Sequence, residues 1–557
     1  MDRTENVLLF LEQRTSELAN KNALGIKSYL GWRELTFKGL SILSQRLASY
    51  LIERGIDKGD KIALLSESKP EWGAALFAAI LSGATLIPLD IKLTKYELNS
   101  ILSNCQPKIL ICSSTYLEKA KMLKEELPFI EEVIVVDEGC TDTTCKCIYN
   151  MPDSTEKKWR HRSPSKSAFI IYTSGTTGNP KGVEISYKNV MAQVNSISKC
   201  FNLGVNDRLL SILPMNHLFE LSVGFLTFLS MGTAIYYSKS LKPKDLFQII
   251  VEKEITFMVV VPAFLKLIKA DIESTVKQSG IFGKMSFEIL YSIAKFIPWI
   301  KVRKMLFPSI HKKLGGKFKA FLSGGAPLDT EILKFFETIG FRIYEGYGLS
   351  EASPVVSVNY EGATRIGSVG KALSGVEVKI DENTGELMVK GDNVMMGYYN
   401  QPELTAQTVE PDGWLHTGDI AKIDKDGFIF ITGRIKNMIV LNGGKKVFPE
   451  EVEAILEQSP MFQEVCVVGT KRSGGQKDGT EDVTAVVVPK AEISEAHKDD
   501  AELTKIIRAE VKELSNKLSM FKRPTNIIVN RELLPRTATS KIKRKEVKQL
   551  ADNKCNK

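Results

Sequence analysis

Apolar residues along the chain recur at helical spacing and then run together in short stretches, in a repeating order. Residues 37–52 carry apolar positions three and four apart, a turn follows at 55–59, and an apolar run occupies 62–65. The same order returns at 72–90, 96–112 and 245–262. Strands alternating with helices are typical of layered α/β units around a mostly parallel sheet. We therefore predict an α/β fold, with residues 72–91 as a buried helix that runs into a strand.

The pattern changes near residue 375. Short alternating runs at 377–380 and 385–390 are separated by Asp, Asn and Gly turns, which predicts an antiparallel, β-rich subdomain. After Gly433 the chain returns to a compact α/β pattern. We predict a large N-terminal domain over 1–433, made of layered α/β subdomains plus the β-rich subdomain, and a small C-terminal α/β domain over 434–557.

Composition narrows the class of protein. The chain has 557 residues, of which 43% are hydrophobic and 25% charged, and this balance excludes disordered, fibrous and polytopic membrane proteins. The N-terminal residues Met1–Asn6 lack the basic and apolar regions of a signal peptide. Eight cysteines are too few for a disulfide scaffold in a chain of this length. We expect a cytoplasmic protein.

The positive charge is concentrated at the C-terminal end. Residues 501–557 contain 15 basic and 6 acidic side chains, which equals the net charge of +9 of the whole chain. Such a segment fits a polyanion: a phosphorylated cofactor, an acidic carrier protein, an anionic membrane or a nucleic acid. Charge alone does not choose among them. Because the sequence contains no recognisable nucleic-acid recognition module, we expect no nucleic-acid partner.

One loop carries the residue types that bind phosphate. A strand-like run at 170–172 is followed by Thr173-Ser174-Gly175-Thr176-Thr177-Gly178-Asn179-Pro180-Lys181-Gly182. Its hydroxyl groups and its backbone N–H groups can donate to an anion, and Lys181 adds a positive charge. The pattern does not match the usual P-loop, because Lys181 is followed by Gly182 instead of Ser or Thr. The loop predicts a phosphate site of another kind.

This loop resembles the phosphate-binding signature of the adenylate-forming superfamily, which comprises acyl-CoA synthetases, nonribosomal adenylation domains and luciferases. Six further motifs of that superfamily follow in its order and spacing along essentially the whole chain. They begin at Pro214, Ser323, Glu345, Trp414, Gly433 and Pro535. The resemblance implies a small C-terminal domain that is mobile and carries the catalytic lysine.

The resemblance also assigns residues to ATP. The phosphate-binding residues would be Thr173, Ser174, Gly175, Thr176, Thr177, Gly178 and Lys181. The adenine- and ribose-binding residues would be Gly325, Ala326, Pro327, Gly346, Tyr347, Asp419 and Arg434. A flat glycine-rich wall and an aromatic ring suit adenine, while a carboxylate and a guanidinium group suit ribose hydroxyls.

Three residues would carry the chemistry. By resemblance, Lys541 bridges the substrate carboxylate and the α-phosphate, Glu351 is a ligand of Mg²⁺, and the Ser350 hydroxyl donates to the α-phosphate. A carboxylate is a poor electrophile, and its activation on ATP develops charge that cations and fixed donors must meet. Ser540 stands where the superfamily usually has glycine, and Ser350 where it usually has threonine.

Resemblance further implies a domain rotation between two half-reactions. The hinge would be Lys436, and Gly443, Gly444 and Lys445 would line the tunnel for the thiol of coenzyme A. His217 would form a wall of the acyl pocket, although a lone histidine in an apolar run is also often a hydrogen-bonded core residue.

The region 273–316 resembles the extra stretch of the long-chain fatty acyl-CoA synthetases. Within it, residues 281–307 combine large apolar side chains with five basic residues and one acidic residue. A basic amphipathic segment of this kind can contact an anionic membrane, and it can equally be a helix packed on the main domain. The sequence leaves both alternatives open.

The resemblance implies an AMP-forming acid–thiol ligase, an acyl-CoA synthetase with Mg²⁺ as cofactor and ATP and CoA as substrates. A long- or medium-chain fatty acid would first form an acyl-adenylate with release of pyrophosphate and then a thioester with coenzyme A. Two alternatives stay open: an acyl–acyl carrier protein synthetase with the same first step, and a noncatalytic nucleotide-binding protein on this scaffold.

Overall fold

The computed structural model describes residues 7–28, 31–153, 159–160, 162–173, 180–441, 445–471, 481–536 and 542–555. The chain divides into two compact units. The first comprises Met1–Val378 and Val389–Leu415, and the second comprises Lys379–Met388 and His416–Lys557. The mixed α/β architecture confirms the predicted fold class. The predicted domain boundary at 433/434 stays a prediction.

The first unit contains two large sheets. The strands of one are, in spatial order, Lys371–Ala372, Val355–Val358, Arg342–Gly348, Ala320–Ser323, Phe257–Val260, Arg208–Ser211, Ala234–Tyr237, Asn22–Ser28 and Gly31–Thr36. Those of the other are Gly397–Tyr398, Lys181–Ser186, Ser167–Thr173, Thr85–Pro88, Lys61–Leu65, Ile109–Cys112, Glu132–Val135 and Lys146–Cys147. The central pairings of both sheets are parallel. Antiparallel pairings occur at both edges of the first sheet and at one edge of the second.

Helices cover these sheets. Those of the first unit are Val7–Leu18, Phe37–Glu53, Pro70–Ser82, Lys95–Cys105, Leu117–Glu126, Tyr187–Cys200, Phe228–Ser230, Pro243–Glu252, Pro262–Gln278, Gly280–Ala294, Ile300–Leu306, Pro308–Lys313, Thr330–Thr338 and Pro402–Thr408. A π-helical segment, Phe219–Thr227, precedes one of them. No described helix is both long enough and apolar enough to cross a membrane.

The helix Pro70–Ser82 shows how the apolar pattern determines the core. Every one of its residues is buried, which explains the continuous apolar run. Proline starts it at a position where the missing N–H costs nothing, and Gly83 ends it with a φ of 76°, a left-handed conformation that favours glycine. The strand Thr85–Pro88 follows directly. The predicted buried helix running into a strand is therefore confirmed.

The second unit has smaller sheets and its own core. Most of a four-stranded sheet belongs to it, with strands Val376–Ile380, Glu386–Gly391, Leu415–Ile423 and Ile429–Arg434. The others have strands Ile439–Val440 and Lys446–Val447, and Phe462–Lys471, Glu481–Pro489 and Asn526–Val529. Its helices are Pro449–Leu456, Ala491–Ala496, Asp500–Ser515 and Arg544–Cys555. Val467, Val487 and Ile507 are among the side chains of its buried core.

Candidate active site

The predicted phosphate loop connects two antiparallel strands. Ser167–Thr173 pairs with Lys181–Ser186, and Thr173 lies opposite Lys181. The segment from Ser174 to Gly178 lies outside the described residues. Because Lys181 begins a strand and not a helix, the loop is not a P-loop, as its sequence indicated. The hairpin places Thr173 and Lys181 side by side at the base of the loop.

A tyrosine connects this loop to the predicted metal ligand. The hydroxyl of Tyr398 donates to Glu351 Oε1 over 2.8 Å, and Lys181 Nζ lies 5.7 Å from the centre of the Tyr398 ring. Burial, together with the Glu351 carboxylate, raises the pKa of Tyr398 above its usual range, so this phenol stays a donor at neutral pH. The structure thus brings Lys181 and Glu351 to the same aromatic side chain.

Sequence reasoning missed Tyr398. Its short strand, Gly397–Tyr398, pairs with the strand that Lys181 begins, so the contact depends on residues more than 200 positions apart. The signal in the sequence is weak: one glycine followed by two tyrosines. Hence only the folded chain reveals this residue.

Close backbone packing shapes the segment that carries Ser350 and Glu351. These residues form a short 3₁₀ turn, Ser350–Ala352, after the strand Arg342–Gly348. A Cβ at Gly348 would overlap the carbonyl oxygen of Pro354, so glycine is required there. The half-buried Ser350 and Glu351 side chains therefore occupy a turn whose path is fixed by packing.

The predicted adenine wall forms around a buried carboxyl group. Glu345 Oε1 accepts a hydrogen bond of 3.1 Å from the N–H of Leu328, and thereby ties the strand that bears Gly346 and Tyr347 to the end of the glycine-rich turn. Burial raises the pKa of Glu345 to about 7. Gly325 has a φ of 82°, and Ala326 and Pro327 are exposed beside it.

An apolar cavity adjoins this wall. It spans about 540 Å³ when the space that is open to solvent is included. Aliphatic and aromatic side chains line it, together with residues of the predicted adenine site. The lining residues are Ile197, Phe201, Phe219, Val223, Leu322, Ser323, Gly324, Gly325, Tyr344, Gly346, Tyr347, Gly348, Pro354, Val355 and Val358. The two cavity-lining segments that end at Gly348 and begin at Pro354 flank Glu351.

His217 is not among the residues that line this cavity. Its Nε2 lies 4.0 Å from Asp90 Oδ2. In the sequence, His217 comes two residues before Phe219, which begins the π-helical segment and lines the cavity. The predicted role of His217 as a wall of the acyl pocket stays a prediction.

In the second unit, the predicted ribose ligands form an ion pair. Asp419 and Arg434 lie opposite each other on antiparallel strands, and Arg434 Nε donates to Asp419 Oδ1 over 2.5 Å. The Asp419 side chain is 4% exposed and that of Arg434 is 56% exposed. Glu386, which sequence reasoning missed, accepts hydrogen bonds of 2.6 Å from the N–H of Gly418 and of 2.9 Å from the ring of His416.

The predicted hinge and thiol tunnel fall close together in the sequence of the second unit. Lys436 is exposed in a 3₁₀ turn, Ile435–Asn437, and Asn437 donates to Glu450 over 2.6 Å. Lys445 Nζ lies 4.8 Å from the centre of the Phe521 ring. Gly443 and Gly444 lie outside the described residues.

The predicted catalytic residue Lys541 also lies outside the described residues, together with Ser540. Its described neighbours are firmly anchored. Arg536 forms an isolated antiparallel β-bridge with Ile542 and an ion pair of 2.7 Å with Glu464. Arg544 donates to both carboxylate oxygens of Glu453 over 2.6 and 2.9 Å. The basic segment at 541–545 is therefore not uniformly available to a polyanion, since Arg544 is engaged within the second unit.

Comparison with known proteins assigns the family. The model of the AMP-binding enzyme family matches residues 11–399, and the model of its C-terminal domain matches residues 436–554. The chain belongs to the AMP-binding enzyme family. This result confirms the resemblance to the adenylate-forming superfamily and the prediction that the chain is an enzyme.

Individual proteins extend the comparison. The chain is 28% identical to a long-chain-fatty-acid–CoA ligase of Mycobacterium bovis over 460 residues, 79% of this chain and 76% of that one. It is similar to the O-succinylbenzoate coenzyme A synthetase of Bacillus subtilis in complex with AMP, at 25% identity and a TM-score of 0.74, over 97% and 98% of the two chains. An anthranilate CoA ligase with bound anthranoyl-AMP shares the fold at 23% identity and a TM-score of 0.80, over 100% and 99%.

Proposed function

We propose that this AMP-binding enzyme is an AMP-forming fatty acid–CoA ligase that works in two steps. In the first, a carboxylate oxygen of the fatty acid attacks the α-phosphorus of ATP and pyrophosphate leaves, which forms an acyl-adenylate. In the second, the thiolate of coenzyme A attacks the acyl carbon and AMP leaves with the bonding electrons of the acyl–oxygen bond. The observation that carries this proposal is the convergence of Lys181 and Glu351 on Tyr398 beside an apolar cavity.

Lys181 and Glu351 carry opposite charges beside Tyr398, and this combination suits a triphosphate and its metal ion. Mg²⁺ in nucleotide sites is held by one or two carboxylates together with phosphate oxygens and water. Glu351 offers one such carboxylate on the turn Ser350–Ala352, and phosphate oxygens and water would supply the other ligands. Mg²⁺ would neutralise phosphate charge there. Tyr398 would keep the Glu351 carboxylate oriented, and Lys181 would attract the phosphate tail.

The remaining roles follow the family pattern. Lys541 would neutralise the substrate carboxylate and the α-phosphate as they approach each other, and Ser350 would donate to the α-phosphate. Gly325, Ala326, Pro327, Gly346 and Tyr347 would hold adenine, and Asp419 and Arg434 would hold ribose. The Asp419–Arg434 ion pair supports the role in ribose binding, because it holds hydrogen-bond acceptor and donor atoms next to each other.

The nature of the cavity supports a fatty acid as substrate. A chain of methylene groups gains about 0.8 kcal/mol for each CH₂ that leaves water, and the cavity lining offers aromatic and aliphatic surface. The similarity to the M. bovis long-chain-fatty-acid–CoA ligase points to the same substrate class. We propose a medium- or long-chain fatty acid, with coenzyme A as the thiol acceptor.

A ladder of saturated fatty acids tests this proposal. Pyrophosphate release and thioester product are measured for each acid with coenzyme A and, in parallel, with holo-acyl carrier protein. The proposal expects fatty acid-dependent pyrophosphate release and an acyl-CoA product. Product only with the carrier protein would replace coenzyme A as acceptor, and no acid-dependent pyrophosphate release would contradict a ligase and favour a noncatalytic nucleotide-binding protein.

A further inference from the structure

The insertion in the first unit has an apolar surface that the chain itself leaves uncovered. Nine of the twenty exposed large apolar side chains in the described part of the chain lie between residues 281 and 305. They are Ile281, Phe282, Met285, Ile289, Ile293, Phe296, Trp299, Val302 and Met305. We call these nine residues the insertion surface. Phe282 is 81% exposed, Phe296 88% and Trp299 69%.

This surface is one face of a helix whose other face is packed. On the helix Gly280–Ala294, Phe287, Leu290, Tyr291 and Ala294 contact the buried core of the first unit. The rings of Phe287 and Phe307 lie 5.6 Å apart, and those of Tyr291 and Phe335 5.9 Å apart. The packed-helix alternative is therefore correct for one face, and it leaves the other face unexplained.

The exposed apolar residues of this helix occupy a narrow arc. At about 100° per residue, positions 281, 282, 285, 289 and 293 fall within roughly 120° of one another, opposite the packed face. A helix with apolar residues on both faces is expected in a buried position, not at a protein surface. The second face therefore indicates a further partner.

Positive charge surrounds the insertion surface. Lys284, Lys295 and Lys301 are exposed. Lys284 Nζ lies 3.8 Å from an oxygen of Glu288, the one acidic residue between 274 and 316, so that Lys295 and Lys301 supply the excess positive charge. The other two basic residues of this segment, Arg303 and Lys304, are half-buried. Arg303 donates to the carbonyls of Ile297 and Glu337 over 2.6 and 3.1 Å, and Lys304 donates to that of Gly316 over 3.0 Å.

We propose that the insertion surface docks on an anionic lipid bilayer. Single Phe, Trp, Ile and Met side chains that project beside lysines match the boundary between acyl chains and charged headgroups, where amphipathic helices lie in the plane of the membrane. A second copy of this chain is a poorer partner, because a self-complementary contact would bring the same lysines together. Docking on a bilayer is a property beyond the proposed function, since it requires no catalysis.

Cosedimentation of the full-length protein with vesicles tests the docking. The vesicles contain phosphatidylcholine and phosphatidylglycerol in equal amounts, with pure phosphatidylcholine as the uncharged comparison. We expect binding to the anionic vesicles, and we expect the combined substitutions Phe282→Ser, Phe296→Ser and Trp299→Ser to weaken it by roughly tenfold or more per side chain. The charge variant Lys295→Gln with Lys301→Gln should weaken binding by about fivefold per lysine.

Matched controls come from the same unit. Tyr96 is 83% exposed and Leu241 60%, and Lys239, Lys242 and Lys244 are exposed at another place on the first unit. The variants Tyr96→Ser with Leu241→Ser, and Lys239→Gln with Lys242→Gln and Lys244→Gln, should bind vesicles like the wild type. All variants should retain the wild-type thermal unfolding midpoint, which separates loss of docking from loss of fold.

Two results would overturn the proposal. The first is equal vesicle binding by the wild type and the Phe282/Phe296/Trp299 variant. The second is a wild type that does not bind vesicles but forms a dimer by sedimentation equilibrium, while that variant is monomeric; the insertion surface would then contact a second copy. Neither result depends on fatty acid activation, so failure of docking and failure of the proposed activity are distinguishable.

Discussion

The carboxyl group of Glu220 is buried in the core of the first unit. Its side chain lies in the π-helical segment, with the residue 1% exposed, and Oε1 accepts from the Ser211 hydroxyl over 2.6 Å. Burial raises its pKa from 4.5 to about 8. The space around it is tight, since a Cβ at Gly224 would lie 2.5 Å from Oε1. The carboxyl group is therefore protonated in the folded protein over a range in which the unfolded chain has lost the proton.

This difference predicts a pH dependence of stability. Between about pH 4.5 and 8 the folded state binds more protons than the unfolded state, so the free energy of unfolding falls as pH rises. Glu220→Gln removes this slope and should stabilise the protein at pH 8 relative to the wild type by a few kcal/mol. Urea unfolding at pH 5 and pH 8 checks it, with exposed Glu403→Gln as the control. Parallel shifts of wild type and Glu220→Gln between the two pH values would contradict it.

Tyr398 offers a second test at the residue scale. Removal of its hydroxyl should take an orienting donor away from the Glu351 carboxylate. Loss of such a supporting hydrogen bond typically weakens metal affinity 10- to 100-fold. Tyr398→Phe should therefore raise the Mg²⁺ concentration for half-maximal pyrophosphate exchange at least about tenfold. Tyr399→Phe is the matched neighbour and should leave it unchanged; an identical Mg²⁺ dependence of both variants would remove Tyr398 from the metal site.

At the scale of elements, two ion pairs hold the ends of the segment that contains Lys541. The helix Arg544–Cys555 begins at the arginine that binds Glu453, whose side chain is 13% exposed. Removal of one partner of a largely buried pair leaves the other charge uncompensated and costs about 3 kcal/mol. Arg544→Met should lower the free energy of unfolding of the second unit by that amount. Lys548→Met, at the more exposed pair with Glu481, is the control and should cost far less.

The turn Ile435–Asn437 is the element proposed as hinge. Proline at Lys436 would fix φ near −65° and restrict the change of backbone conformation that a domain rotation requires. Lys436→Pro should retain adenylate formation and lose most thioester formation. Pyrophosphate exchange and thiolysis of supplied acyl-adenylate measure the two steps separately, with Lys436→Ala as the control. Equal losses in both steps, or in neither, would show that Lys436 is not the hinge.

At the scale of the whole molecule, the sequence predicted what depends on local pattern. The buried helix Pro70–Ser82 and the strand before the phosphate loop follow from continuous apolar runs. Contacts between distant segments were not predictable, because no local pattern encodes them. Tyr398 reaches Glu351 through a strand pairing with Lys181, and Glu386 reaches His416 across a sheet.

Charge shows the same limit of sequence reasoning. The net charge of +9 equals that of the last 57 residues, which suggested one basic face for a polyanion. The fold instead uses Arg536 and Arg544 in ion pairs with Glu464 and Glu453. In the insertion, Arg303 and Lys304 likewise bind backbone carbonyls, while neighbouring Lys301 stays exposed. A count of charges does not reveal which of them remain available to a partner.

The central claim is that the chain activates a fatty acid on ATP with Lys541 as the catalytic cation. Fatty acid-dependent ATP–pyrophosphate exchange tests it most directly, measured for the wild type, for Lys541→Ala and for the control Lys543→Ala. Lys543 is an exposed lysine that forms an ion pair of 2.9 Å with Glu546. We expect Lys541→Ala to lose about 10³-fold in exchange rate while its affinity for ATP is preserved, and Lys543→Ala to match the wild type. Exchange by Lys541→Ala at the wild-type rate would contradict the claim.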